Sequence, residues 1–458
     1  MNNKNSRLEE FINSPKKALW KLSLPMILGM SVQAIYVLID TAFIGNWVNW
    51  KALSGLGFVF PPMFIIMGIT FGLGSGATTT IAQFIGEKDK KNANNSAEHI
   101  LLLGILLSIF FMFIGYFQGE EILKIQGAKD DSLLYASEYF YTMLIGIPFM
   151  IIGIFFRSIL SGEGNNILPM KILGTGTIMN IILDPLFIYY YQIKGAAIAT
   201  VISQFSVFII FIYIILIKDK SYIDFNFKNF KFNKSILYNI LKIGVPAALS
   251  MLIMSIGIFF YNIILSKTNF SDSVIAAYTT AHRIEHLFFI PLISIATSMV
   301  TIIGMFYGAK KYNLIKYIIK YSLKISIITS IILGIIFYFL SDYMFPIFIK
   351  ESLQSEEVIN LGINYFKIFT FAVPFIAITM ICSRVMQGLG KSYPMFIITC
   401  LRVIIISCSL AYYFIIIKNK SIEYAWISIL ISCVLSSIIS IIWMFIELQK
   451  KQFKNSIT

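Results

Sequence analysis

Apolar runs of about twenty residues recur along the whole chain, about twelve of them, the first centred near Met30 and the last near Leu435. In hydrocarbon no water pairs with a peptide N–H or C=O, so each run must satisfy its backbone internally. Open strands cannot do this, and the runs are too long for barrel strands. The expected fold is therefore an all-α membrane protein of about twelve transmembrane helices. Composition agrees: 57% of residues are hydrophobic, 13% are charged and the mean hydropathy is +0.79, which excludes a soluble domain around a buried core. Residues Met1–Pro15 are polar and the first apolar run lacks a small-residue cleavage site, so no cleaved signal peptide is expected.

A net charge of +14 would suit a nucleic-acid partner, but the charges are placed for a membrane. Lys16, Lys17 and Lys21, then Lys88, Lys90 and Lys91, then Lys218 to Lys234, then Lys310, Lys311 and Lys316, and finally Lys450, Lys451 and Lys454 fall in alternate loops. The positive-inside rule then puts both termini in the cytoplasm of a multi-pass plasma-membrane protein, and both termini on one side require an even number of spans. No nucleic-acid partner is expected, because such proteins join basic patches to a soluble module. Cys382, Cys400, Cys408 and Cys433 lie in or beside apolar runs without a CxxC pair and read as buried free thiols.

The polar, basic stretch 219–234 divides the chain into an N-lobe (1–218) and a C-lobe (235–448) of six helices each, followed by a tail (449–458). The halves resemble one another. KLSLPMILGM (Lys21–Met30) matches KIGVPAALSM (Lys242–Met251), proline on proline. IAQFIGEKDK (Ile81–Lys90) matches IGMFYGAKKY (Ile303–Tyr312), with Gly86 on Gly308. Further on, Pro148 aligns with Pro374 and Gly162 with Gly388. Six helices per copy give both copies one orientation, so the axis relating them is expected along the membrane normal, with two bundles facing a cleft.

Within this apolar matrix a few polar residues stand out. Asp40 lies in Pro25–Gly45, and Asn180, Asp184 and Pro185 lie in Thr175–Tyr191. A carboxylate at a helix centre costs roughly 2.5–3.5 kcal/mol on insertion scales, so such residues face a cavity and mark an ion or proton path. Asn180 and Asp184 are one turn apart on one face, and Pro185, lacking an N–H, frees the carbonyl of Ile181. Carboxylate, amide and loose carbonyl suit a small hard cation. At 1.5 Å per residue, Asp40, Asp184 and Thr200 all fall about 7–10 Å inside the same end of their helices. Thr200 could instead bond only its own helix. Gln33, Tyr36 and Asp40 line one helical stripe, and Pro25 is placed to bend that helix.

Two motifs suggest other chemistry. Gly72-Leu73-Gly74-Ser75-Gly76 has the look of a phosphate loop, but it lies in an apolar run without a preceding strand and reads as small-residue helix packing. His282-Arg283-Ile284-Glu285-His286 matches the HxxEH pattern literally, which raises an intramembrane zinc enzyme using His282 and His286; the candidates for the third ligand it needs, Glu351, Glu356 and Glu357, sit in a loop after an intervening span. The other reading is a polar network in which Glu285 offsets an intramembrane arginine such as Arg384 or Arg402.

Taken together, Pro25…Gln33…Asp40…Gly45, Asn180-x3-Asp184-Pro185 and GAAIATVISQ (Gly195–Gln204) resemble the multidrug and toxic compound extrusion (MATE) family, in its DinF/MepA-like branch. The resemblance covers nearly the whole chain. It implies a transporter rather than an enzyme: a monomeric antiporter exporting organic cations or drugs against Na⁺ or H⁺ by alternating access, with no cofactor besides the coupling ion. It also implies a cation site of Asp40, Asn180, Asp184 and Thr200, with Gln33 and Tyr36 near the substrate cavity and Pro25 bending the first helix. A second cation site in the C-lobe is not expected, since the seventh helix offers Asn262 and no carboxylate. A lipid-linked saccharide flippase of the same superfamily would share the fold but should carry a more basic cleft.

Overall fold

The computed structural model describes residues 6–47, 50–268, 271–348 and 355–450, with the side chains of 36–54, 271–272 and 347–355 excepted. Among the described residues there is no strand. In chain order the helices are α1 (Leu8–Asn13), α2 (Pro15–Trp47), α3 (Trp50–Gly86), α4 (Lys90–Ile125), α5 (Asp130–Gly162) and α6 (Ile167–Ile212). After the connecting stretch come α7 (Lys234–Leu265), α8 (Ser271–Gly308), α9 (Tyr312–Phe348), α10 (Ser355–Phe369) and α11 (Val373–Gly388). α12 (Tyr393–Cys400) runs on through π-helical turns and α13 (Ser409–Tyr412) to Ile417, and α14 (Glu423–Gln449) ends the chain.

Ten of these helices are long and apolar enough to cross a membrane, or eleven when α10 and α11, bent by 58° at their junction, count as one span. The longest stretch, Ile167–Ile217, is itself two arms. Gln192 has φ 52° and ψ −132°, outside helical space, and breaks α6 there. Dividing that stretch in two brings the spans among the described residues to the dozen that the apolar runs suggest. The repeat is unequal at one place. Pro148 sits inside the unbroken α5, whereas its counterpart Pro374 opens α11 just after the bend.

The chain forms two compact units. One comprises Met1–Glu10 and Leu24–Ala248, the other Phe11–Ser23 and Leu249–Thr458. α2 and α7 therefore each begin in one unit and continue in the other. In the first unit the start of α7 lies on α3. A Cβ at Gly72 would run into the Cα of Ala248, and one at Gly76 into the carbonyl of Ile240. The GLGSG segment is thus a helix-packing seam that lets two backbones touch. In the second unit the start of α2 lies on α8, where Ser23 donates to Ser298 at 3.1 Å, the residue that takes the place of Gly76 in the repeat. Gly162 packs on Ile81 and the Thr78 carbonyl, and Gly388 on Ile303 and the Val300 carbonyl. The same crossing is built twice from equivalent positions.

The stretch 219–234 is held onto the first unit by buried polar groups. Glu163 Oε2 accepts from the Ser221 hydroxyl (2.8 Å) and from the N–H groups of Tyr222 (2.8 Å) and Ile223 (3.3 Å). Glu98 accepts from the Asn226 N–H at 2.7 Å, and His99 Nε2 from the Asn233 N–H at 2.9 Å. The imidazole therefore donates from Nδ1 to the Asn95 carbonyl, 2.8 Å away. A loop pressed against a helix end cannot leave its N–H groups dry, and these side chains supply the acceptors.

Two predictions follow from this packing. Gly72→Val should lower thermal stability of the detergent-purified protein by about 1–3 kcal/mol or abolish folding, because backbone cannot retreat from the new methyls. Gly174→Ala, where nothing lies within 4 Å of an added Cβ, should leave the melting curve unchanged. Burial pushes the Glu163 carboxyl up to about 7, from an ordinary 4.5. The folded state therefore holds the extra proton between those values, and stability, full below the window, falls as pH rises through it. The loss should be on the order of 3 kcal/mol, and Glu163→Gln, which cannot ionise, should flatten the melting temperature against pH.

Candidate cation-binding site

The two arms of α6 form the core of the site. Beyond Gln192 the chain doubles back closely enough that a Cβ at Gly195 would collide with the Phe187 carbonyl, and one at Gly176 with Val207. Only glycine permits these approaches. The register they fix puts Asp184 level with Thr200 and Asn180 level with Gln204.

Asp184 is fully buried and Asn180 is 3% exposed. Asn180 Nδ2 donates to Asp184 Oδ1 at 2.9 Å, as expected of residues one helical turn apart. At the same level on the second arm, Thr200 Oγ1, Ser203 Oγ and Gln204 Oε1 are buried and have no hydrogen-bond partner. Other hydroxyls of α6 bond back to their own helix: Thr175 to Ile172, Thr177 to Leu173 and Ser206 to Ile202. Thr200 does not, which removes the local-bonding account of this residue. A buried polar atom without a partner costs about 1–3 kcal/mol. Three of them on one arm, at the level of a carboxylate on the other, are oxygens of the kind suited to a proton or a hard cation. Gln204 also approaches α5, where a Cβ at Gly146 would come within 2.7 Å of its Oε1.

The remaining expected residues fall as follows. Gln33 lies on α2 and is exposed. Tyr36 and Asp40 lie further along α2, and their side chains are outside the described residues. Pro25 is inside α2, two residues past Ser23, close to where that helix passes from one compact unit to the other. Ser203 and Gln204 were not singled out from sequence, although Gln204 stands one turn beyond Thr200 and the 3,4 spacing could have found it.

The HxxEH segment lies on α8 and does not present two imidazoles to one point. His282 Nε2 faces the Tyr278 hydroxyl at 3.0 Å and its Nδ1 faces Glu285 Oε2 at 3.3 Å, while His286 is exposed. Both ring nitrogens of His282 are engaged within the protein, and Glu285 is committed to one of them rather than to a water.

Comparison with known proteins points the same way. The MatE family profile matches the chain twice, over residues 25–186 and 246–413, once in each half of the repeat. Over 378 residues, 82% of each chain, the protein is 29% identical to the probable multidrug resistance protein YpnP of Bacillus subtilis. It is 28% identical over 311 residues to the multidrug export protein MepA of Staphylococcus aureus, covering 67% of this chain and 68% of that one. A solved outward-facing multidrug resistance MATE family transporter of the MOP superfamily matches 98% of each chain with a TM-score of 0.90 at 26% identity. With both halves matched by one family and nearly the whole chain by a transporter of that fold, the protein belongs to the MatE family of multi-pass membrane transporters.

Proposed function

We propose that the protein is a cation-coupled multidrug efflux antiporter of the plasma membrane, exporting organic cations by alternating access of its two six-helix halves, with both termini cytoplasmic. The observation that carries the coupling site is the buried Asn180–Asp184 pair at the level of the unpartnered oxygens of Thr200, Ser203 and Gln204. Asp40 completes the set in this reading. Gly29 of α2 adjoins Met170 of α6, its Cβ position 3.4 Å from Met170 Cγ. As first and fifth spans the two helices run in one sense, so position 40 comes level with 180–184. In the same reading Gln33 and Tyr36 of α2 serve the substrate cavity, and Pro25, near the passage of α2 between units, is the bending point. The chain works as a monomer and needs no cofactor beyond the coupling ion, Na⁺ or H⁺.

Competition supplies the mechanism. A buried carboxylate holds either the coupling cation or, by its charge, the cationic drug. Loading Na⁺ or H⁺ from outside neutralises the acid and releases the drug. Coupling requires the two ligands to favour different conformations, because equal affinity for both shifts nothing. The flippase alternative is less well supported, since the compared relatives are named for multidrug resistance and export.

Asp184→Asn and Asp40→Asn should each reduce drug efflux from cells at least about tenfold at matched membrane levels, the loss of an ion pair worth more than about 1.4 kcal/mol. Full resistance in both variants would remove this site. Asn262→Ala on α7 should cost no more than about fivefold in the same assay, since loss of one neutral hydrogen bond is worth about 1 kcal/mol. Binding of ²²Na⁺, or drug-linked proton release, measured side by side identifies the ion; if Asn262→Ala eliminates it while Asp184→Asn spares it, the assignment is wrong.

A further inference from the structure

The second unit holds a buried ionisable cluster that the proposed coupling site does not use. Tyr278, His282 and Glu285 lie along one stripe of α8 at i, i+4 and i+7. Glu285 is 4% exposed and Oε2 faces His282 Nδ1 at 3.3 Å, while Oε1 has no hydrogen-bond partner. The imidazole itself is half-buried, its side chain 37% exposed. Its other nitrogen meets the Tyr278 hydroxyl at 3.0 Å. Tyr278 stacks on the buried Trp426 of α14 at 5.9 Å between centroids, and Tyr365 of α10 closes on Trp426 edge-on at 4.9 Å. The indole N–H of Trp426 and the amide oxygen of Asn262 are also buried without partners.

Charged and titratable groups come to the cluster from four elements around it. α7 brings Tyr261, α10 brings Tyr365 facing Glu285, the π-helical stretch after α12 brings Arg402 and Cys408, and α14 brings Cys433. Arg402 is the one cation of this set, and it faces Tyr278 and Cys433, as Glu285 also does. The carboxylate therefore has a fixed positive charge in its surroundings and one titratable neighbour that is itself partly exposed. An imidazole bridging an exposed edge and a buried acid can take up a proton on one nitrogen and give one up from the other.

We propose that Glu285 and His282 form a proton-binding site in the second half of the transporter, filled through the half-exposed imidazole and sealed beneath the Tyr278–Trp426–Tyr365 aromatic stack. With Nδ1–H toward Glu285, His282 Nε2 accepts from the Tyr278 hydroxyl. A proton reaching Nε2 turns that hydroxyl to accept from the new N–H and leaves the Nδ1 proton free to pass to Glu285 Oε2. The buried cluster gains one positive charge, and no covalent bond other than N–H and O–H changes. A hard metal cation is disfavoured by the donor set: the carboxylate's neighbour is an imidazole nitrogen, where such a cation would want oxygens. This site requires neither the ion nor the residues of the α6 site, so it stands or falls separately from the function proposed above.

The test uses the purified full-length protein in detergent. A carboxylic-acid C=O infrared band that titrates with pH should be present in the wild type and missing in Glu285→Gln. Its midpoint should move by about one pH unit in His282→Gln, which removes the imidazole that faces the carboxylate. Trp426 emission, identified by subtraction with Trp426→Phe, should change with the same midpoint. Replacing choline with Na⁺ should leave that midpoint in place. Superimposable titrations of wild type and Glu285→Gln, an unmoved midpoint in His282→Gln, or a midpoint displaced by Na⁺ would each overturn the proposal. If Glu285→Gln fails to fold, His282→Gln, altered at a half-exposed position, decides the matter alone.

Discussion

Every peptide group in this protein that sits in hydrocarbon must find its hydrogen-bond partner within the chain, and the architecture depends on that requirement. It makes each span a helix and keeps the breaks few. Where α6 turns back at Gln192, the reversal is held by glycine at Gly195 under the Phe187 carbonyl. The bend between α10 and α11 is likewise closed by local bonds, from the Phe371 N–H to Ile368 and the Ala372 N–H to Phe369, with Thr370 donating to the Gly334 carbonyl. Helices that gain nothing from burying apolar surface in lipid instead gain from close contact. Hence the seams at Gly72, Gly76, Gly162 and Gly388.

The same requirement explains why the two halves look alike in backbone and differ in chemistry. Gly162 and Gly388 make equivalent contacts with α3 and α8. The crossing that uses Gly76 in the first unit uses a Ser23–Ser298 hydroxyl pair in the second. Steric equivalence is preserved because a misplaced backbone would strand polar groups, whereas side chains facing cavities are free to diverge. The first unit places Asn180 and Asp184 on α6, and the second places Glu285 and His282 on α8. The acid is present in both, but on different helices.

Unpartnered polar atoms are the clearest sign of where a ligand belongs. Most serines and threonines in these helices bond back to a carbonyl three or four residues earlier and so cost little, as at Thr70, Ser108 and Ser428. Thr200, Ser203 and Gln204 do not, nor do Asn262, Glu285 Oε1 and Trp426 Nε1. Three of these exceptions lie on the second arm of α6, at the level of Asp184, and three in the second unit; Asn95, Ser326 and Ser392 are further exceptions away from both groups.

Much of the fold was legible in the amino-acid order because the bilayer reads local properties. Span length, the absence of charge and the matched prolines and glycines are all features of adjacent residues, and so is the one-turn spacing of Asn180 and Asp184. What the sequence could not express is which polar atoms remain unsatisfied. That depends on whether Thr200 rotates toward its own carbonyls or away, and on which ring nitrogen of His282 meets Glu285 and which meets Tyr278. The aromatic cover over Glu285 is drawn from Tyr365 and Trp426, far along the chain from α8. These are long-range contacts, and only tertiary packing decides them, because a side chain's partner in hydrocarbon is whatever the neighbouring helix brings to the same depth.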